Sequence, residues 1–397
     1  MGTLGGDTDA SMGMTFGIGG TGIWHRAEDC FEAIVSYIRD VSSGRSKIDT
    51  LRVDCFGFSR GAATARHLVH LLLHEEKTDS HGGWAVFGLM NRVSQFKEVV
   101  TFEIPFVGLF DTVAHYRYNF KDDTKELDLD AIKELDLDAI KDPHLDAIED
   151  TRVKRVVQLA AGDEHRYNFP LTDISSAGTK GLQIFLPGAH SDVGGSYNME
   201  VFEYMLPVFE AWGTSDGLLF ARCRHIRREL VELGWYREDQ IKIQRDDEHQ
   251  EEQITIQRDD RDNEDIRHKY SVVATRSISS NKYSYIPLHI MADKAKAAEN
   301  GLTFNLEDFN YEDEPVLIGI RKLIKNNMGL DDQDWLYNKD AQILTLRHIF
   351  LHFSSDYTLV KNAVRPNKPQ FFSPGLKKPY EDADPMSGHR KRQIFPG

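Results

Sequence analysis

Cysteine is scarce in this chain, with three in 397 residues. Cys30, Cys55 and Cys223 show no C-x-x-C spacing and lie in apolar segments, so they read as buried free thiols and give no disulfide framework or zinc site. Long apolar runs are missing as well. No stretch approaches the length a membrane-spanning helix needs. The amino terminus has no basic region followed by an apolar core, so no signal peptide is evident. Such a chain either stays in the cytosol or leaves by a machine that reads no signal peptide. Positive charge is also short: the formal net charge is −15. No basic stripe is available to neutralise phosphates, which excludes a nucleic-acid partner. The same charge gives no general attraction to anionic lipid, so binding to a lipid surface would rest on local apolar or basic patches.

What remains is an ordinary globular composition, 40% hydrophobic and 28% charged, long enough for one large domain or a domain with a small cap. Within it, residues 53–66 read VDCFGFSRGAATAR. An apolar stretch ends in Gly57-Phe58-Ser59-Arg60-Gly61, and a run of small, helix-favouring residues follows. This is the G-x-S-x-G elbow in the strand–turn–helix setting that gives the pattern its meaning. A serine hydroxyl becomes a useful nucleophile when a sharp turn exposes it to a base and aims the next backbone N–H at the developing oxyanion. The Arg60 N–H is that donor. The competing explanation is an ordinary Gly/Ser turn.

An acid and a base should follow in that order. Residues 99–110 read as a buried strand that runs into Asp111. Residues 181–186 (GLQIFL) read as another and stop at the glycine-rich segment carrying His190. Ser59, Asp111 and His190 each lie just past the carboxyl end of an expected strand, and in an open parallel sheet those ends share one rim. Asp111 also fits a simple turn residue, and His190 competes with the rest of the sixteen histidines. His165 and His289 are the rival bases. Asp192 is the rival acid, or a partner of the loop that carries His190.

The blocks GFSRGAATAR, VGLFDTVA, LAAGDEHRYNFPLT, LPGAHSDVGG and YSYIPLHIM, in that order, resemble the catalytic domain called domain of unknown function 2235, as found in phospholipase effectors of the bacterial type VI secretion system. The resemblance spans about residues 17–291. It implies an α/β-hydrolase: a mostly parallel sheet flanked by helices, here with charged insertions and room for a small cap. It implies cleavage of acyl esters of glycerophospholipids, with Ser59 as nucleophile, Asp111 as orienting acid and His190 as general base, and no cofactor. It further implies synthesis in the cytoplasm, export to the periplasm of a target cell, a secretion spike protein as carrier, and a cognate immunity protein. The alternatives are a soluble esterase unconnected with secretion, and an inactive hydrolase fold used as an interaction module. Against the family pattern the chain looks shortened at its amino end, which would remove the first strand and the second oxyanion donor.

The expected layout is a catalytic domain over residues 1–300 and a carboxyl-terminal extension over 301–397 packed on it, ending in a Pro- and Lys-rich surface tail from 366. Two acidic insertions interrupt the frame. In residues 121–150, ELDLDAIK occurs twice, and in residues 242–268, IQRDD occurs twice. The Asp-x-Asp spacing invites calcium, but the central Gly and terminal Glu of an EF-hand are missing, so no metal site is expected. Residues 17–22 formally match G-x-G-x-x-G, yet no strand precedes them and no Gly-Lys-Ser/Thr ends them, so they read as a flexible turn. Residues 202–212 (FEYMLPVFEAW) read as core, or as a wall for an acyl chain, broken at Pro207. Residues 215–235 read as an amphipathic core helix.

Overall fold

The computed structural model describes residues 22–44, 47–73, 77–78, 84–85, 88–114, 152–166, 169–246, 268–298, 302–328, 334–337, 339–354, 392 and 394–395. The 121–150 insertion, most of the 17–22 turn and most of the tail lie outside these residues. In chain order the main elements are α1 (Ile23–Val41), β1 (Lys47–Arg52), β2 (Cys55–Phe58), α2 (Arg60–Leu73), α3 (Leu89–Ser94), β3 (Glu98–Glu103) and β4 (Val107–Phe110). There follow β5 (Val156–Ala161), β6 (Leu171–Thr172), β7 (Gly181–Leu186), α4 (His190–Gly194), β8 (Val201–Gly213), α5 (Asp216–Glu232), β9 (Ile241–Asp246) and β10 (His268–Ile278). The last are α6 (Tyr285–Ala297), α7 (Pro315–Asn327), α8 (Ala341–Ile349) and β11 (Ile394–Phe395).

A four-stranded sheet in the order β2-β4-β5-β7 organises the chain, and all its pairings are parallel. Parallel sheets are covered on both faces, so their strands read as continuous apolar runs. VVQLAA of β5 is buried at every position. Each carboxyl end therefore opens on one edge, and the chain leaves that edge at Ser59, Asp111, Gly162 and Pro187. Helix α2 is buried from Gly61 to Leu72, which explains its lack of a polar face. Even Arg66 is inside, donating from Nη1 to the Asp173 carbonyl at 2.7 Å.

Residues 99–110 are two strands where the sequence suggests one. Proline cannot donate to a ladder, and the register steps at Pro105: Arg52 pairs with Glu103, whereas Cys55 pairs with Val107. The β1–β3 ladder thus extends the β2–β4 ladder past a bulge. Residues 202–212 also differ from expectation. They form β8, the edge of an antiparallel β8-β10-β9 sheet, with register shifts on either side of Leu206–Pro207. An edge position and a bulge are where a strand tolerates proline. The opening of the second insertion is likewise strand, since Ile241 to Asp246 pair with Ala274 to Lys269.

Residues after 301 share the core of the sheet. Leu317, Ile320, Ile343, Leu346 and Phe350 are buried in one cluster with Leu159, Ile184 and Val193. Buried charges tie the same region down. Arg276 on β10 donates to Glu203 on β8 at 2.6 Å and to the carbonyls of Trp235, Arg347 and Leu351 at 2.7, 2.9 and 2.7 Å. Removing one partner of such a network leaves a buried charge uncompensated. Arg276→Met should therefore cost about 3–5 kcal/mol, read as a lower urea midpoint, and an unchanged midpoint would contradict this role.

Candidate active site

Ser59 sits between β2 and α2 with φ +60°, a left-handed conformation that costs a non-glycine residue strain and holds its side chain out of the turn. The elbow is pinned to the next strand: Ser59 N–H donates to the Phe110 carbonyl at 2.9 Å. The turn closes tightly because Gly57 has no Cβ, which would fall 2.2 Å from the Gly61 carbonyl oxygen. A Cβ on Gly194 would fall 2.1 Å from the Phe58 ring, so the second glycine lets the His190 segment approach the elbow.

Asp111 follows β4, again at positive φ, +51°, and is fully buried. Its N–H donates to the Leu159 carbonyl at 2.9 Å. Oδ1 accepts the Ala161 N–H at 2.7 Å, and Oδ2 lies 2.5 Å from His190 Nδ1. The Arg392 guanidinium spans both oxygens. Burial alone would push the carboxyl up; the Arg392 charge and the His190 hydrogen bond outweigh it and hold the group well below the usual carboxylate range.

His190 begins α4, where the sequence suggested an open loop. Its N–H donates to Glu164 Oε2 at 3.2 Å, and its ring lies between Phe58 and Phe169, at centroid distances of 4.5 and 5.0 Å. Burial lowers its pKa below 6.5, partly countered by the hydrogen bond and charge of Asp111. The imidazole is therefore neutral near pH 7, as a base must be. Glu164 is itself buried, a cost that the Arg166 charge outweighs, so its carboxyl stays ionised below its ordinary value.

Ser59, Arg60 and His190 line one cleft of about 760 Å³, whose walls include Phe56, Phe110, Phe169, Leu288 and Phe309. Burial draws the Arg60 side chain down to about 10. Its backbone N–H belongs to the first turn of α2, where the helix dipole favours negative charge. The other sequence candidates lie elsewhere. His165 is buried with its ring toward Phe353, at 6.3 Å, and its N–H on Ser354 Oγ at 3.1 Å. His289 places Nε2 2.9 Å from the Phe309 carbonyl. Asp192 accepts the Ala189 N–H at 2.9 Å and pairs with His352 Nδ1 at 2.7 Å, which makes it a partner of the segment carrying His190. Among the described residues, none of 202–211 lines the cleft. Among the described residues no cluster of His, Cys, Asp and Glu could hold a metal ion, and no helix is long and apolar enough to cross a membrane.

Glu164, Arg166, His352 and Arg392 escaped the sequence reading. The first two stand in a quoted block, beside His165, which drew attention for its residue type. Nothing local singles out His352 or Arg392, whose partners are distant in the chain.

Residues 73–208 match a family model described as "T6SS, Phospholipase effector Tle1-like, catalytic domain". The chain resembles the catalytic domain of these type VI secretion effectors. The match contains Asp111 and His190 and begins at the last residue of α2, the helix that follows Ser59. A solved structure titled "Structure of the Tle1 effector bound to the VgrG spike from the Type 6 secretion system" superposes with a TM-score of 0.54 at 18% identity, covering 94% of this chain and 73% of that one. The shared fold is α/β-hydrolase-like. An uncharacterized protein from Pseudomonas aeruginosa aligns at 25% identity over 43% of this chain and 23% of its own, with a TM-score of 0.25 that defines no common fold. No curated protein matches the chain.

Two glycines separate strain from freedom. Gly57→Ala must displace backbone at the elbow and should cost about 1–3 kcal/mol, whereas Gly217→Ala, on helix α5 with open space around it, should gain roughly 0.5–1 kcal/mol. Chemical denaturation of the two variants checks this, and equal midpoints would refute the close approach at Gly57.

Proposed function

We propose that the chain is a serine hydrolase that cleaves a carboxylic ester of a glycerophospholipid, delivered as a type VI secretion effector. One observation carries the reading: His190 Nδ1 meets the buried Asp111 carboxylate at 2.5 Å, and the same imidazole lines a cleft with Ser59 on its strained elbow. With Nδ1–H donated to Asp111, Nε2 is left to take the Ser59 proton. The Ser59 oxygen attacks the ester carbonyl, and the Arg60 N–H stabilises the oxyanion. Collapse of the intermediate expels the lysophospholipid oxygen, which takes its proton from His190. Water, deprotonated by His190, then releases the fatty acid and restores the serine.

The apolar walls suit an acyl chain, and the resemblance to phospholipase effectors supports the lipid class. Carriage by a spike protein is supported by the Tle1 effector structure. An immunity protein in the producing cell follows from the same reading, because a phospholipase made in the cytoplasm endangers its maker. The 1–300 region acts as the catalytic unit, with residues after 301 completing its core.

The test is mass spectrometry of products from vesicles whose phospholipids carry different acyl chains at the two positions. Free fatty acid and lysophospholipid should appear with the intact protein. With Ser59→Ala, kcat should fall by about a millionfold. With Asp111→Asn it should fall about ten-thousandfold through the wrong imidazole tautomer. Turnover of short soluble esters without vesicle cleavage would favour a soluble esterase, and no turnover by a folded protein would sink the hydrolase reading. Because burial lowers the His190 pKa, the limb of kcat/KM that rises with pH should be centred below 6.5; a centre above 6.5 would contradict that environment.

A further inference from the structure

Arg392 reaches the site from the far end of the chain. Strand β11 pairs in parallel with β6, Ile394 opposite Leu171 and Phe395 opposite Thr172. The Asp173 N–H donates to the Phe395 carbonyl at 2.9 Å. This short ladder sets Arg392, two residues ahead of it, against the end of β5. Arg392 is 4% exposed, so the tail expected on the surface enters the interior here.

All three guanidinium nitrogens are used. Nη1 meets Asp111 Oδ1 and donates to the Ala161 carbonyl at 3.1 Å. Nη2 donates to Asp111 Oδ2 at 2.9 Å, and Nε donates to the Phe169 carbonyl at 3.0 Å. A fork with both prongs on one carboxylate fixes its plane as well as its charge. Arg392 does not line the cleft, so any effect it has on chemistry passes through Asp111.

We propose that Arg392 is a positioning residue of the Asp111–His190 pair, and that strand β11 is therefore a working part of the site. The inference rests on the hydrolase reading and deepens it. Oδ1 is held by Ala161 and Arg392 together, which leaves Oδ2 aimed at His190. The guanidinium also balances the carboxylate charge that His190 faces. Among the described residues, the other charged groups acting on His190 are Glu164, through the His190 N–H, and Arg166, which is paired with Glu164 at 2.9 Å. The Phe58 and Phe169 rings pack against the imidazole.

Loss of the Arg392 charge leaves Asp111 more negative toward the imidazole, which favours the protonated histidine. In Arg392→Gln the rising limb of kcat/KM should move up by about one pH unit, and kcat should fall about tenfold or more with KM little changed. Added guanidinium chloride should return part of the activity. Arg392→Lys keeps the charge without the fork, so its limb should stay near that of the unaltered protein while kcat falls. A purely structural role would lower the folded fraction of the variants and leave the limb in place.

The experiment uses the full chain: ester turnover against pH for these variants, beside the titration of His190 followed by nitrogen-15 NMR, which needs no turnover. An upward shift in both supports the proposal. A folded Arg392→Gln with an unmoved limb and an unmoved His190 titration overturns it. Should Arg392→Gln fail to fold, Arg392→Lys decides: reduced kcat at an unchanged His190 pKa supports the fork, and undiminished kcat overturns it. If the unaltered protein turns over no ester, the hydrolase reading falls, while the His190 titration still decides what Arg392 does to the pair.

Discussion

A carboxylate with no contact with water must have its charge answered on every side, and Asp111 meets that condition at the edge of the parallel sheet. One oxygen takes the Ala161 N–H at 2.7 Å, the other faces His190 at 2.5 Å, and a guanidinium spans both. Unpaired, a charge at that depth would cost several kcal/mol or would simply take up a proton. Held this way, it stays ionised and directional. The orientation of His190 depends on it, and so does any activation of Ser59.

The same demand for satisfied charge explains how the carboxyl-terminal third joins the sheet. Asp163, just past β5, accepts the Gly188 N–H at 2.8 Å and pairs with Arg347 at 2.8 Å. Asp192 in α4 accepts from His352 on both its N–H and its ring. Glu164 accepts from Ser354 Oγ at 3.0 Å. Residues 347–354 thus close over the segment that carries His190, and the bonds from Arg347, His352 and Ser354 each cross more than a hundred residues of sequence. The site is built on the rim of four strands, but its rigidity comes from elements that arrive later in the chain.

What could be read beforehand follows from locality. The elbow is a contiguous motif, and a fully buried parallel strand is a contiguous apolar run, so Ser59, Asp111 and His190 could be placed at strand ends from sequence. The break at Pro105 was also local, but the apolar residues on both sides hid it. Residues 202–212 carry no clean alternation because two bulges shift the register, so their strand character was lost to the proline. The helix starting at His190 is a single turn and leaves no periodicity to detect. Arg392 had no signal at all: it lies in a basic, Pro-containing tail, and its meaning comes from a two-residue strand pairing with Leu171–Thr172.

The most direct test of an activated Ser59 is covalent and needs no substrate assignment. The native chain would be treated with a fluorophosphonate, and the intact mass and peptide map would be compared with those of chain first unfolded in urea. The structure predicts a single adduct on the peptide containing Ser59, absent from the unfolded chain because the hydroxyl is reactive only when Asp111 and His190 are assembled around it. No adduct on the native chain, or an adduct on another serine, would contradict the site described.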